Sequence, residues 1–190
     1  MIISEKGLSK AMKAAYSTVG YTVANMAGAM AIWTDEWCVK CLRWNLPRKA
    51  LAMIVEHAGE LPEPDSAMYL RKGDDPQWAS MDYVAAELAE WWTPAGKQSK
   101  AYIVPVVFAG LMMYQTPDKK CYAAEPTYLA ILKREIAEAL PVQIDADGKA
   151  VITQEDQQIC IQTIIPAEEY PGKEWMRDAW AALETVRFYE

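Results

Sequence analysis

Phenylalanine and histidine are scarce in this chain of 190 residues, which has two Phe and one His beside eight Trp and ten Tyr. A reaction that needs histidine as its general base would have to use His57. Indole combines a large apolar surface with an N–H donor, so Trp concentrates in protein cores and at contact surfaces. The aromatic bias therefore points to contact surfaces and says little about a reaction.

The sequence also lacks the short motifs of common nucleotide-dependent and hydrolytic enzymes. It contains no GxxxxGK followed by Ser or Thr, and no GxGxxG, HExxH or GxSxG. These absences weigh against P-loop NTPases, Rossmann enzymes, zincins and α/β-hydrolases, and we expect no cofactor and no catalytic residue. An enzyme of unfamiliar type that uses His57 or the cysteines remains an alternative.

Long apolar runs are missing as well. The longest, Ala101 to Tyr114, is shorter than the ~20 residues that a membrane-spanning helix needs, and Pro105 interrupts it. The first six residues lack the basic start and apolar stretch of a signal peptide. Four cysteines are too few for a disulfide scaffold at this length. We therefore expect no membrane partner and a reducing, cytoplasmic location.

Two of the cysteines, Cys38 and Cys41, have the CxxC spacing that occurs in zinc sites and in redox pairs. Their segment is predicted to be a strand, in which residues three apart point to opposite faces. The glycine or proline that usually accompanies zinc-binding cysteines is absent beside them. We interpret both cysteines as small buried hydrophobes and predict no metal site.

Periodicity and turn residues predict an α+β fold, in which antiparallel β-hairpins pack against three or four helices. Ser4 is the expected N-cap of a first helix, residues 34–36 the turn of a hairpin, and Gly59 the C-cap of the next helix. The polar stretch 93–100, with Pro and Gly, is a candidate linker. It would join an N-terminal lobe, 1–92, to a C-terminal lobe, 101–190.

Charge is distributed unevenly along the chain, which has a net charge of −7. Residues 1–73 hold nine Lys/Arg and seven Asp/Glu, whereas residues 74–190 hold ten and nineteen. This acidity favours a protein partner with a basic surface, because complementary fields accelerate encounter. Net charge of this size also serves solubility alone.

The candidate contact surface lies on two predicted helices. One starts at Asp75-Pro76 and runs to Trp92, with Trp78, Met81, Ala85, Leu88 and Trp92 as its expected buried face. Adjacent indoles at 91 and 92 cannot both face the core, and Trp180 lies off the face that carries Trp175 in the last helix. The predicted partner-binding residues are the indoles Trp91, Trp92 and Trp180 and the carboxylates Asp74, Asp75, Asp82, Glu87 and Glu90.

Basic residues near Trp37 and Trp44 support a different function, in which the first third of the chain binds DNA or RNA as a regulator. Cations interleaved with aromatics hold a single strand by phosphate contact and base stacking. The candidate contacts are Lys40, Arg43, Arg48, Lys49, Arg71 and Lys72. The solvated face of a hairpin and a helix would show the same pattern.

Segments of the first 75 residues resemble short acidic accessory proteins of bacteriophages and mobile elements. They are Ile2-Ile-Ser-Glu-Lys-Gly-Leu8, then Leu46-Pro-Arg-Lys-Ala-Leu51 with Ile54-Val-Glu-His57, then Leu70-Arg-Lys-Gly73. Some proteins of this kind are anti-CRISPR or other anti-defence inhibitors. The resemblance implies a small inhibitor that binds a host nucleic-acid-handling complex, and it assigns no catalytic residue.

The composition also permits a homodimer, because exposed patches of Trp and Met tend to bind partners.

Overall fold

Antiparallel strands form one large sheet in the computed structural model, which describes residues 1–26, 28–92, 99–139, 142–145, 148–165 and 173–188. The predicted α+β class is confirmed, but the described residues contain six α-helices rather than three or four, and the hairpins join into one sheet of eleven strands. The strands are β1 (Tyr21–Met26), β2 (Ala29–Trp33), β3 (Trp37–Leu42), β4 (Ser66–Leu70), β5 (Gln77–Ala79), β6 (Ser99–Phe108), β7 (Leu111–Gln115), β8 (Cys121–Ala124), β9 (Val142–Ile144), β10 (Lys149–Gln154) and β11 (Gln157–Gln162). The helices are α1 (Glu5–Ser17), α2 (Arg48–Ala58), α3 (Met81–Trp92), α4 (Pro126–Leu129), α5 (Arg134–Ala139) and α6 (Glu174–Leu183), with a 3-10 helix at Arg43–Asn45. Neighbouring strands follow the order β5-β4-β1-β2-β3-β11-β10-β9-β6-β7-β8.

Side chains of the central strands alternate between two buried faces of this sheet. Tyr21, Val23 and Ile32 belong to the largest core. Ala24 and Trp33 belong to a second core, which lies on the opposite face. Because both faces are covered, β2 and β3 are almost continuously apolar and buried rather than apolar on alternate residues only.

Helices cover the sheet from both sides. α1 and α2 contact each other over the largest core, to which Met12 and Ile54 contribute. α3 covers the opposite face of the same strands through Val84 and Leu88. α6 covers β6 to β8 with Met176. None of the described helices is both long and apolar enough to cross a membrane.

Two helix ends follow the sequence-based predictions. Ser4 caps α1, because its Oγ accepts a hydrogen bond from the Gly7 backbone N–H at 3.2 Å. Gly59 ends α2 in the left-handed conformation, with φ of 85°. Between them, the hairpin β2–β3 forms around residues 34–36 as expected.

The helix predicted from Asp75-Pro76 starts later and presents a different face. The chain first forms the short edge strand β5, where Trp78 pairs with Met68, and α3 begins only at Met81. Its buried residues include Val84, Leu88 and Trp91, so the apolar face is rotated from the predicted one. The Pro76 that was expected to start the helix instead precedes a strand that pairs with β4.

Strands from both ends of the chain share the sheet. β3 pairs with β11, and the Ile2 backbone N–H donates to the Gln157 side-chain oxygen at 2.9 Å. Of the candidate linker 93–100, residues 93–98 lie outside the described residues, and Ser99 and Lys100 begin β6. The division into lobes 1–92 and 101–190 stays a prediction, and it would cut through the β3–β11 ladder.

Gly7 gives a stability prediction, because a Cβ at this position would lie 1.6 Å from the Ala130 carbonyl oxygen. An exposed helical Gly→Ala change is normally stabilising by about 1 kcal/mol. We expect Gly7→Ala to lower the free energy of unfolding by about 2 kcal/mol or more, since the obstacle is backbone and α1 must move. Urea denaturation measures it.

The matched control is Ala14→Gly, at an exposed position of the same helix. This variant should lower the free energy of unfolding by only about 1 kcal/mol, which is the difference in helix propensity between alanine and glycine. A Gly7→Ala protein as stable as the parent would show that α1 does not approach residue 130 this closely.

Candidate functional site

A groove runs between the β2–β3 turn and α3. It consists of two adjoining clefts of about 110 and 380 Å³, which share Thr34, Asp35 and Glu87. Carboxylates at 35, 87 and 90 give it an acidic character, and we call it the acidic groove. The smaller cleft is also lined by Val19, Gly20, Tyr21, Thr22, Trp33, Tyr69 and Tyr83. The larger is also lined by Glu90, Trp91, Lys149 and Gln162.

Local structure fixes the positions of the carboxylates. In the turn, Thr34 donates its N–H to the Trp37 carbonyl at 2.9 Å, and the Thr34 Oγ1 accepts from the Glu36 N–H at 3.1 Å. Asp35, between them, is exposed. On α3, positions 83, 87 and 90 have helical spacing and form a polar stripe beside the buried face of the helix. The carboxylates of the turn and those of the helix therefore place negative charge on both sides of the groove.

The pKa of Tyr83 reports the negative potential of the groove. Partial burial raises this pKa, and so do a hydrogen bond to Glu87 and the nearby charges of Asp35 and Glu90. All three carboxylates of the groove thus act on one phenol. A cation placed here would be favoured by the same potential.

One cation of the chain already lies in the acidic groove. The Lys149 Nζ is 5.4 Å from the centroid of the Trp91 ring and donates to the Glu90 carbonyl oxygen at 2.5 Å. This combination of an indole face, a carbonyl and nearby carboxylates is a typical environment for a lysine or arginine head group. The groove can therefore accommodate an ammonium group.

The predicted carboxylates are only partly brought together. Glu87 and Glu90 line the acidic groove. Asp82 is exposed in the first turn of α3, and Asp74 and Asp75 are exposed in the connection between β4 and β5. Asp35 was missed by the sequence analysis, because nothing local indicates that its turn faces a helix almost fifty residues away.

Two of the three predicted indole contacts are buried. Trp91 is 8% exposed and forms a wall of the groove. Trp180 is 3% exposed, whereas Trp175 is 61% exposed, so the face predicted for the last helix is wrong. Trp180 packs edge-on against Phe108, with ring centroids 5.3 Å apart. The side chain of Trp92 lies outside the described residues.

Other aromatic side chains are exposed instead. Trp44 is 75% exposed, Trp78 56% and Tyr83 54%. Tyr83 lies on α3 next to the exposed Asp82, and Trp78 lies on β5, four residues before Asp82. The signal that could have found Trp78 is Pro76, which is compatible with a short edge strand as well as with a helix start.

The six predicted basic contacts do not form one surface. Arg43, Arg48 and Lys49 are exposed around the 3-10 helix and the start of α2. Lys40 lies between Val39 and Cys41, both in the largest core, so it points to the α3 side of the sheet. The other two, Arg71 and Lys72, are exposed beyond the end of β4.

The cysteines are buried as small apolar residues. Cys38 belongs to the core under α3 and Cys41 to the largest core, which confirms that they point to opposite faces. Burial raises the pKa of the Cys41 thiol to about 12 and raises that of Cys38 as well. Among the described residues, no group of three or more His, Cys, Asp or Glu could hold a metal ion.

His57 joins α1, α2 and β1. Its ring stacks on Tyr16 with centroids 3.6 Å apart and planes 4° from parallel, and its Nδ1 hydrogen-bonds the Tyr21 hydroxyl at 2.9 Å. Burial lowers the pKa of His57, with opposing effects of Glu56, which raises it, and Lys13, which lowers it further. His57 therefore packs α2 against α1 and β1.

Comparison with known proteins adds no family. No family model matches the chain, and no curated protein is significantly similar to it. A crystal structure of the DNA polymerase III subunit beta DnaN sliding clamp from Bartonella birtlesii LL-WM9 is similar with a TM-score of 0.26 and 9% identity over 86% of this chain. The chain spans 64% of the clamp's length. A similarity this low carries no argument about function.

Trp180 gives a second prediction on stability. Trp180→Ala removes a buried indole that packs on Phe108 and should lower the free energy of unfolding by about 3–5 kcal/mol. Trp175→Ala, five residues earlier on the same helix and 61% exposed, is the control and should change the free energy of unfolding by about 1 kcal/mol or less. Equal effects in urea denaturation would contradict the assigned face of α6.

His57 gives a prediction on pH. Because its pKa is lowered in the folded chain, the unfolded chain binds the proton more tightly, and stability is lost as the pH falls through the ordinary value of 6.5. His57→Phe keeps a ring against Tyr16 but cannot titrate. Between neutral pH and pH ~5, the parent should lose more unfolding free energy than this variant. Identical losses would refute the assigned shift.

Proposed function

We propose that the chain is a non-enzymatic protein-interaction module whose acidic groove receives a lysine or arginine side chain of a partner. The observation that carries the proposal is the position of Lys149, whose ammonium group lies against Trp91 and the Glu90 carbonyl. Asp35, Glu87 and Glu90 line the same cleft as Lys149, and among the described residues no second cation lines either cleft. A partner cation would meet the same indole face and a net negative charge.

The contact surface extends from the groove along α3 to the edge of the sheet. Exposed Trp78 and Tyr83 supply aromatic area, which the sequence predicts from Trp91, Trp92 and Trp180 instead. The exposed carboxylates Asp74, Asp75 and Asp82 lie on the same segment of the chain. Aromatic anchors within a charged rim are the composition of protein-binding surfaces.

Charge also indicates the class of partner. α3 carries three carboxylates and no Lys or Arg, so it complements a protein groove built to hold phosphates. A chain that occupies such a groove excludes the nucleic acid from it. The proposal therefore includes inhibition of a nucleic-acid-handling complex, of the anti-CRISPR or anti-defence kind. A homodimer through the exposed indoles stays a prediction.

The test uses a fluorescent oligoarginine peptide as the probe. We expect it to bind the parent chain at low salt and to dissociate as salt rises, since screening weakens charge pairing. The combined variant Asp35→Asn/Glu87→Gln/Glu90→Gln should bind about tenfold more weakly, which corresponds to about 0.5 kcal/mol per removed charge. Fluorescence anisotropy measures the affinity.

The matched control removes three exposed carboxylates elsewhere, with Glu135→Gln/Glu155→Gln/Glu174→Gln. It changes the net charge equally and should leave affinity within about twofold. If both variants weaken binding to the same extent, only overall charge matters and the groove is not the site. Absence of peptide binding at low salt would also refute the proposal.

A further inference from the structure

Three lysines form a row on the solvent side of α1. Lys6, Lys10 and Lys13 are exposed, and their spacing of four and three residues places them on one face of the helix. The rise of 1.5 Å per residue spreads them over about 10 Å. The opposite face of α1 is buried in the largest core. The row is therefore held rigidly at the surface.

More cations surround an exposed indole at the start of α2. Arg43, Arg48 and Lys49 are exposed, and Trp44, between them in sequence, is the most exposed large apolar residue described, at 75%. The first turn of α2 contains no acidic residue. The side chains of this segment thus offer positive charge together with a free aromatic face.

The two groups belong to one helical layer. α1 and α2 contact each other and cover the same face of the sheet. The layer carries six exposed cations, Lys6, Lys10, Lys13, Arg43, Arg48 and Lys49, against the carboxylates Glu5 and Glu56 of the two helices. One further carboxylate, Asp156, accepts hydrogen bonds from the Leu42 N–H and the Asn45 side chain beside the 3-10 helix. We call the six cations with Trp44 the basic layer.

The acidic groove lies on the other side of the sheet, under α3. Helices on opposite faces of a sheet have axes about 20 Å apart, as a helix is about 10 Å in diameter. The Debye length at physiological ionic strength is about 8 Å, so the acidic side does not cancel the field of the basic layer. An acidic chain can therefore present a locally cationic surface.

We propose that the basic layer binds single-stranded nucleic acid. The row on α1 and the cations around α2 contact successive phosphates, and Trp44 stacks on a base. Charge complementarity identifies a polyanion, and the exposed indole among cations favours a single strand, whose bases are free to stack. The surface is separate from the acidic groove, so this inference stands or falls independently of the protein partner.

The experiment titrates the full chain into a fluorescein-labelled single-stranded oligonucleotide of mixed sequence at several salt concentrations. We expect binding in the micromolar range at low salt, with log K falling linearly against log salt. Lys6→Gln/Lys10→Gln/Lys13→Gln should make that slope shallower by about 2, since each lost phosphate contact removes about 0.7. Trp44→Ala should weaken binding about tenfold through lost stacking.

Each variant has a matched control. Lys100→Gln/Lys120→Gln/Arg177→Gln removes three exposed cations outside the basic layer and should keep the parent slope. Trp175→Ala removes an exposed indole on α6 and should keep the parent affinity. Circular dichroism of all four variants should match the parent.

Four outcomes would overturn the inference. They are absence of binding at low salt, equal loss of slope in the two triple variants, tighter binding to the duplex form of the same sequence, and tighter binding to vesicles of anionic lipid than to the single strand. Binding of oligoarginine to the acidic groove would be unaffected by any of these results, so failure here is distinguishable from failure of the proposed function.

Discussion

The burial of one antiparallel sheet on both of its faces is the constraint on which the rest of the structure depends. Alternate residues of β1 to β3 must satisfy two different cores. The face under α1 and α2 uses large side chains such as Tyr21, Met30 and Trp37, whereas the face under α3 combines Ala24 and Ala31 with Trp33. Trp33 of β2 and Trp91 of α3 fill this second core around the small residues.

This asymmetry gives the cysteines and the charges a common explanation. Cys38 and Cys160 are opposite each other on β3 and β11 in the core under α3, where a small apolar side chain fits. With both faces of these strands covered by helices, the outer sides of α1 and α3 carry exposed charge of opposite sign. The lysines of α1 and the carboxylates of α3 are separated by the sheet between them.

Local signals in the sequence predict local structure well and the assembly poorly. Ser4, Gly59 and the turn at 34–36 are correctly interpreted, because capping and turn chemistry act within a few residues. The pairing of β3 with β11 joins residues more than a hundred positions apart, and no residue type announces it. The acidic groove depends on this assembly, since Asp35, Glu87 and Lys149 come from distant segments.

The positions of the indoles are predicted wrongly for a different physical reason. Successive residues of a helix are rotated by 100°, so in a helix rich in apolar residues two neighbouring faces have almost the same hydrophobic pattern. Tertiary packing decides which of these faces is buried. On α6 both indoles lie beside Phe108, but Trp180 is buried edge-on against it at 5.3 Å, whereas Trp175, with its ring centroid 6.4 Å away, stays 61% exposed. The hydrophobic pattern of α6 alone cannot predict which indole is buried, because Phe108 lies on β6, far away in the sequence.

Lys149 already occupies part of the acidic groove, and a partner cation would have to displace it or bind beside it. Lys149 is partly buried and is held by its cation–π contact with Trp91, worth about 0.5–1 kcal/mol at an accessible site, and by its hydrogen bond to the Glu90 carbonyl. A partner cation that displaces it must replace both contacts, and the displacement returns a positive charge to the rim, close to the incoming cation. A single lysine gains little from such an exchange. If the groove receives a partner as proposed, a segment with several cations would also reach Asp82, Asp74 and Asp75, so we expect the groove to favour strongly basic surfaces over isolated lysines.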